Sequence, residues 1–106
     1  MSQLPDFCQT EIQRVNYFTC LLPVTAFGFD DDMIMELSVE YRKSVDGTHL
    51  QAIVWVRQER AHAKHLIYSL SVPTSPEPDE AIFEALNDRE EFTDCMRSYI
   101  REAAKQ

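Results

Sequence analysis

The chain has 106 residues, 44% of them hydrophobic, and a formal net charge of −8. That length suits a single domain over residues 1–106, and that apolar fraction is enough to build a core. No apolar run is long enough to span a bilayer, no secretion signal opens the chain, and the acidic balance disfavours non-specific binding to nucleic acid or anionic membranes.

In chain order, residues 5–22 come first and read two ways. Leu4, Cys8, Ile12, Val15, Thr19 and Leu22 fit a helix that starts at Pro5. The stretch Val15-Asn16-Tyr17-Phe18-Thr19-Cys20-Leu21-Leu22 is rich in strand formers. The spacing favours a helix over 5–15 and leaves 16–22 open.

A hairpin follows. Met33, Met35, Leu37, Val39 and Tyr41 alternate with Ile34, Glu36, Ser38, Glu40 and Arg42, the period of a strand with one apolar face. Asp46-Gly47 suits a two-residue type I′ turn, because both central positions need positive φ. Leu50, Ala52, Val54 and Val56 then alternate with Gln51, Ile53, Trp55 and Arg57. With Val45 facing Thr48, counting outward sets Tyr41 opposite Ala52, Val39 opposite Val54, Leu37 opposite Val56 and Glu36 opposite Arg57. Turn chemistry and hydrophobic pattern agree on this register.

Leu66, Tyr68, Leu70 and Val72 predict a third strand with its apolar side inward and Ile67, Ser69 and Ser71 outward. Its face matches the hairpin only if the intervening loop has an odd number of residues, three or five. Pro73, Pro76 and Pro78 then end the sheet. Beyond them the period becomes helical: Ile82, Ala85 and Leu86, then Phe92, Cys95, Met96, Tyr99, Ile100 and Ala103. Pro78 fits a first turn, and Asp79 and Glu80 suit the positive end of the helix dipole. Asn87-Asp88 is a candidate break, with Asp88 and Glu91 spaced as a capping box. The expected fold class is therefore α+β: a three- to four-stranded antiparallel meander with an N-terminal helix or strand and a long C-terminal helix. In chain order that is αβββα or ββββα.

The residues offer little chemistry. His62 and His65 are three apart and His49 lies beyond, but no C-x-x-C or well-spaced third ligand accompanies them. Asp30-Asp31-Asp32 lacks the alternation and the glycine of a calcium loop. Gly28 and Gly47 are the only glycines, too few for a phosphate-cradling loop. Cys8, Cys20 and Cys95 are odd in number and widely spaced, which points to buried thiols in a reducing, cytoplasmic setting. The expectation is a non-enzyme with no cofactor and no metal site.

Charge is unevenly spread. Residues 1–41 hold seven acids and one base, residues 42–65 two acids and five bases, and residues 66–106 nine acids and four bases. The hairpin would split the bases between its two ends: Arg42 and Lys43 at one, Arg57, Arg60 and Lys64 at the other. That arrangement argues against a direct nucleic-acid surface. Acids that could mimic a phosphate row are Asp30, Asp31, Asp32, Glu84, Glu90, Glu91 and Asp94. A different surface stands out on the outer side of the sheet, where Ile53, Trp55 and Ile67 adjoin one another with Ile34 at the margin. Adjacent large apolar groups require a cover, supplied by residues 5–22 or by another molecule.

Ile12-Gln13-Arg14-Val15, the strand series and the terminal Phe92-Thr93-Asp94-Cys95-Met96-Arg97-Ser98-Tyr99-Ile100 segment resemble the SecB-type export chaperones. That resemblance implies an acidic, cytoplasmic, oligomeric protein with four strands followed by helix. Type III secretion chaperones are similar in size and charge, but they have additional strands. Two functions are consistent with the residues. One is a chaperone- or adaptor-like module binding a polypeptide through the Ile34/Ile53/Trp55/Ile67 face. The other is a small acidic inhibitor of phage or mobile-element type, similar to anti-CRISPR proteins, that blocks a nucleic-acid-binding protein by charge mimicry. The expected partner is a protein, a second copy of the chain included, and neither nucleic acid nor membrane.

Overall fold

The computed structural model describes residues 16–59, 61 and 63–104. The elements run β1 (Asn16–Pro23), a 3-10 turn (Val24–Phe27), β2 (Ile34–Lys43), β3 (His49–Gln58), β4 (His65–Pro73), α1 (Pro78–Asn87) and α2 (Glu90–Ala104). The four strands form an antiparallel meander in the order β1-β2-β3-β4. The fold is thus the ββββα form of the α+β class, with its helical part divided in two. The expected helix over 5–15 lies outside the described residues. Residues 16–23 are a strand, in keeping with the β-branched and aromatic side chains there.

The core lies between one sheet face and the two helices. Met35, Leu37, Val39 and Tyr41 of β2, with Leu50, Ala52, Val54 and Val56 of β3, point inward. Leu70 and Val72 of β4 join them, and Ile82, Leu86, Phe92, Met96, Ile100 and Ala103 close over them from the helices. The inward side chains of β1 (Phe18, Cys20, Leu22) pack against this cluster but are only partly buried. Tyr41 reaches past the sheet to α1, where its hydroxyl donates to the Asp79 carboxylate.

The β2–β3 register is the one expected, from Leu37 opposite Val56 to Tyr41 opposite Ala52. The turn that produces it differs. The Gly47 N–H donates to the Ser44 carbonyl (2.9 Å) and the Ser44 N–H donates to the His49 carbonyl (2.8 Å). The loop is therefore four residues, 45–48, with Val45-Asp46 at the centre of a β-turn, rather than a two-residue Asp46-Gly47 turn. Both closures keep Val45 level with Thr48, so the register survives the change. Gly47 still holds a left-handed conformation, φ 75°. Asp46 acts through its side chain: Oδ1 accepts from the Ser44 hydroxyl (2.6 Å), the Thr48 N–H (3.1 Å) and the Thr48 hydroxyl (2.8 Å). A local carboxylate bracket thus replaces the backbone demands of a type I′ turn.

The β3–β4 connection departs from the odd-loop expectation. Gln58 ends β3 and His65 begins β4, which leaves six residues between them. That even length would turn the whole β4 apolar face outward. A β-bulge corrects it: Trp55 pairs with Leu66, Val54 pairs with Tyr68, and Ile67 is the extra residue. Beyond the bulge Leu70 and Val72 face the core as expected.

Pro78 occupies the first turn of α1, behind Glu77 as N-cap. The candidate break is present, and α1 ends at Asn87. Arg89, not Asp88, opens α2: its carbonyl accepts the Thr93 N–H (3.3 Å). With Arg89 at the cap, Asp88 and Glu91 no longer hold the positions of the expected capping box. Cys20 and Cys95 are free, half-buried thiols, and burial raises the Cys20 pKa.

Candidate functional site

The outer face of the sheet reads as cross-strand rows. Tyr17, Glu40, Ile53 and Ser69 form one row, and Thr19, Ser38, Trp55 and Leu66 the next. Leu21, Glu36 and Arg57 form a third, and Pro23 with Ile34 closes the face.

Of the residues expected to share a patch, Ile53 and Trp55 do so, as successive outward positions of β3. Both are half-buried. Ile67 does not join them. The six-residue connection puts Leu66 opposite Trp55, and Ile67, at the bulge, packs against the buried cluster. Leu66 takes the outward place and is 55% exposed. Ile34 is also separate: the Glu36–Arg57 row stands between it and Trp55. Arg57 grips Glu36 with two parallel bonds, Nε to Oε1 (3.1 Å) and Nη2 to Oε2 (3.0 Å), and donates Nη1 to the Ala61 carbonyl (3.1 Å). The arginine hydrogen bond holds the Glu36 carboxyl below its ordinary pKa.

Lys64 crosses the middle of the face. Its ammonium lies 5.3 Å from the centre of the Trp55 ring and 4.0 Å from Glu40 Oε1. The indole is thus sandwiched between the sheet and a cation. Trp55 Nε1 is buried and has no acceptor among the described residues. Beside Ile53 the small side chains Ser69 and Ser71 leave a groove of about 630 Å³, bordered by Glu40, Arg42 and Gln51. Residues 16–23 extend the sheet at its edge and do not fold across this face. Any intramolecular cover would have to come from elsewhere in the chain.

Two apolar residues that the ambiguous N-terminal reading left out also lie on this side: Tyr17 (72% exposed) and Leu21 (56% exposed). Because β1 is apolar at nearly every position, its alternation carries no face signal. Only pairing with β2 assigns one.

The candidate acids are dispersed. Asp30, Asp31 and Asp32 lie in the loop before β2, and Asp31 Oδ1 accepts the Met33 N–H (2.9 Å), a local turn bond. Glu84 is on α1, while Glu90, Glu91 and Asp94 occupy the first turns of α2. All are exposed and none takes an ion pair among the described residues. The histidines do not converge either. His49 bonds Thr48 Oγ1 through Nδ1 (2.8 Å) at the β2–β3 turn. His65, at the other end of the sheet, rests its ring 5.5 Å from that of Tyr99. His62 and Arg60 lie outside the described residues. Arg42 and Lys43 do fall at the sheet end opposite Arg57 and Lys64.

The fold and this face together define a small α+β domain with one sheet side covered by helices and the other, partly apolar, covered by no element among the described residues. No protein-family model matches the chain, and no curated protein or solved structure matches it.

Proposed function

We propose that this chain is a non-catalytic, chaperone- or adaptor-like module of the cytoplasm that binds a polypeptide through the outer face of its sheet. The observation that carries this reading is the outer sheet face, where a groove lined by Ile53, Ser69 and Ser71 adjoins the row of half-buried Trp55 and exposed Leu66. Adjacent large apolar side chains on a sheet face gain several kcal/mol when covered, at roughly 25 cal/mol per Å². Arg42, Glu40 and Gln51 at the rim provide polar partners of both signs.

The test compares wild type with Trp55→Glu, using a permanently unfolded, carboxymethylated polypeptide as ligand. Circular dichroism and light-scattering mass are read in parallel. The expected result is a folded variant that no longer binds. A variant that binds as wild type does, or one that unfolds, overturns the reading; unfolding would make this face interior core.

Glu90, Glu91 and Asp94 of α2 and Asp30, Asp31 and Asp32 before β2, all exposed and without an ion pair among the described residues, support a second reading, charge mimicry toward a nucleic-acid-binding protein. Salt separates the two. Mimicry weakens steeply as ionic strength rises, whereas binding to the Trp55 face does not.

A further inference from the structure

The two edges of the sheet are treated differently. β4 is blunted by the bulge at Ile67, ends at Pro73 and leads into a proline-rich connection. These are the devices by which sheets avoid pairing with other chains. β1, the opposite edge, has none of them before Pro23. Its eight residues, Asn-Tyr-Phe-Thr-Cys-Leu-Leu-Pro, include no charge, and they pair with β2 without a register shift. Its free edge has no partner strand among the described residues.

Beneath this edge lies an apolar groove of about 300 Å³ between the inward face of β1 and α1. Phe18, Cys20 and Phe83 line it, and Asp79, Glu80 and Glu84 rim it. A second cavity of about 230 Å³ lies on the far side of Phe83, between Leu22 and Phe92. The packing under β1 is thus looser than under the central strands, whose inward side chains are buried. α1 carries three acids and no base. Asp79 accepts from Tyr41, while Glu80 and Glu84 take no cation among the described residues.

We infer that the β1 edge is a strand-addition site for an extended basic peptide. The peptide's backbone would pair with β1. Side chains on one of its faces would enter the Phe18/Cys20/Phe83 groove, and a flanking Lys or Arg would meet Glu80 and Glu84. Backbone pairing supplies affinity, and alternate side chains supply selectivity. A second copy of this chain fits poorly: its β1 offers no cation, and pairing the two edges would bring two acidic grooves together on chains of net charge −8 each. The site is distinct from the Trp55 face, and neither depends on the other.

The experiment titrates the full chain with a nine-residue peptide that has Val and Leu at alternating positions and Lys at both ends. Isothermal calorimetry and backbone amide chemical shifts are the readouts. Controls are the same peptide with Glu for Lys, and one N-methylated at alternate amides. We expect 1:1 binding, shift changes on residues 16–23 and on α1, and loss of binding on N-methylation. The acidic peptide should bind about tenfold more weakly. The double variant Glu80→Lys, Glu84→Lys, at exposed positions, should reverse the charge preference, and Trp55→Glu should leave it unchanged. Equal affinity for the two peptides, shift changes confined to other surfaces, or a dimer that the peptide neither binds nor dissociates would each overturn the proposal.

Discussion

Replacing Gly47 tests the β2–β3 closure in a form that isolates one physical cause. The residue has φ 75°, and a Cβ placed on it meets nothing within 4 Å. No clash therefore contributes, and the whole effect is conformational. An L-residue in the left-handed region is destabilised by roughly 1–2 kcal/mol. Alanine recovers about 0.4–1 kcal/mol of this by restricting the unfolded chain. The net for Gly47→Ala is then ~1 kcal/mol, with Gly47→Val worse because a β-branched side chain resists positive φ. In a domain of this size ~1 kcal/mol corresponds to a Tm lower by roughly 4–8 °C. Gly47→Asn should restore most of the loss, since asparagine tolerates this region. Urea denaturation followed by the fluorescence of Trp55 measures all three variants against wild type. A valine variant with the wild-type midpoint, or an asparagine variant as damaged as the valine one, would refute the reasoning.

Two further predictions concern pH. Three hydrogen bonds from Ser44 and Thr48 hold the Asp46 pKa down at about 2. Because the folded pKa is depressed, the contribution of this carboxylate is complete above its unfolded pKa of about 3.9 and is lost as pH falls toward 2. Asp46→Asn should flatten that part of the acid unfolding curve, and an NMR titration of Asp46 with an ordinary midpoint would contradict the bracket. Burial, followed by the hydrogen bond and charge of Asp79, pushes the Tyr41 pKa up to about 12. Here the neutral form is favoured by folding, so stability is intact below about 10 and is lost as pH rises toward 12. Tyr41→Phe should cost about 0.5–1.5 kcal/mol at neutral pH and weaken the alkaline dependence, as read by urea midpoints across pH 8–12.

Local rules determined much of this protein. Alternation in Met33–Tyr41 and Leu50–Val56 specifies both the hairpin and its inward face, because a one-residue slip would expose every core side chain. Proline positions and the change of period at Pro78 specify where sheet gives way to helix. The Glu36–Arg57 pair follows from the register alone. What only the tertiary structure decided are the places where neighbouring strands outvote the local pattern. β1 is apolar on both sides, so its identity and facing come from pairing with β2. A six-residue connection has the wrong parity for β4, which leaves Leu66 at the surface and Ile67 against the core, and a bulge then restores the inward facing of Leu70 and Val72. Leu66 and Ile67 are nearly equal in hydrophobicity, so no sequence signal separates them, and the backbone hydrogen bonds of β3 make the choice.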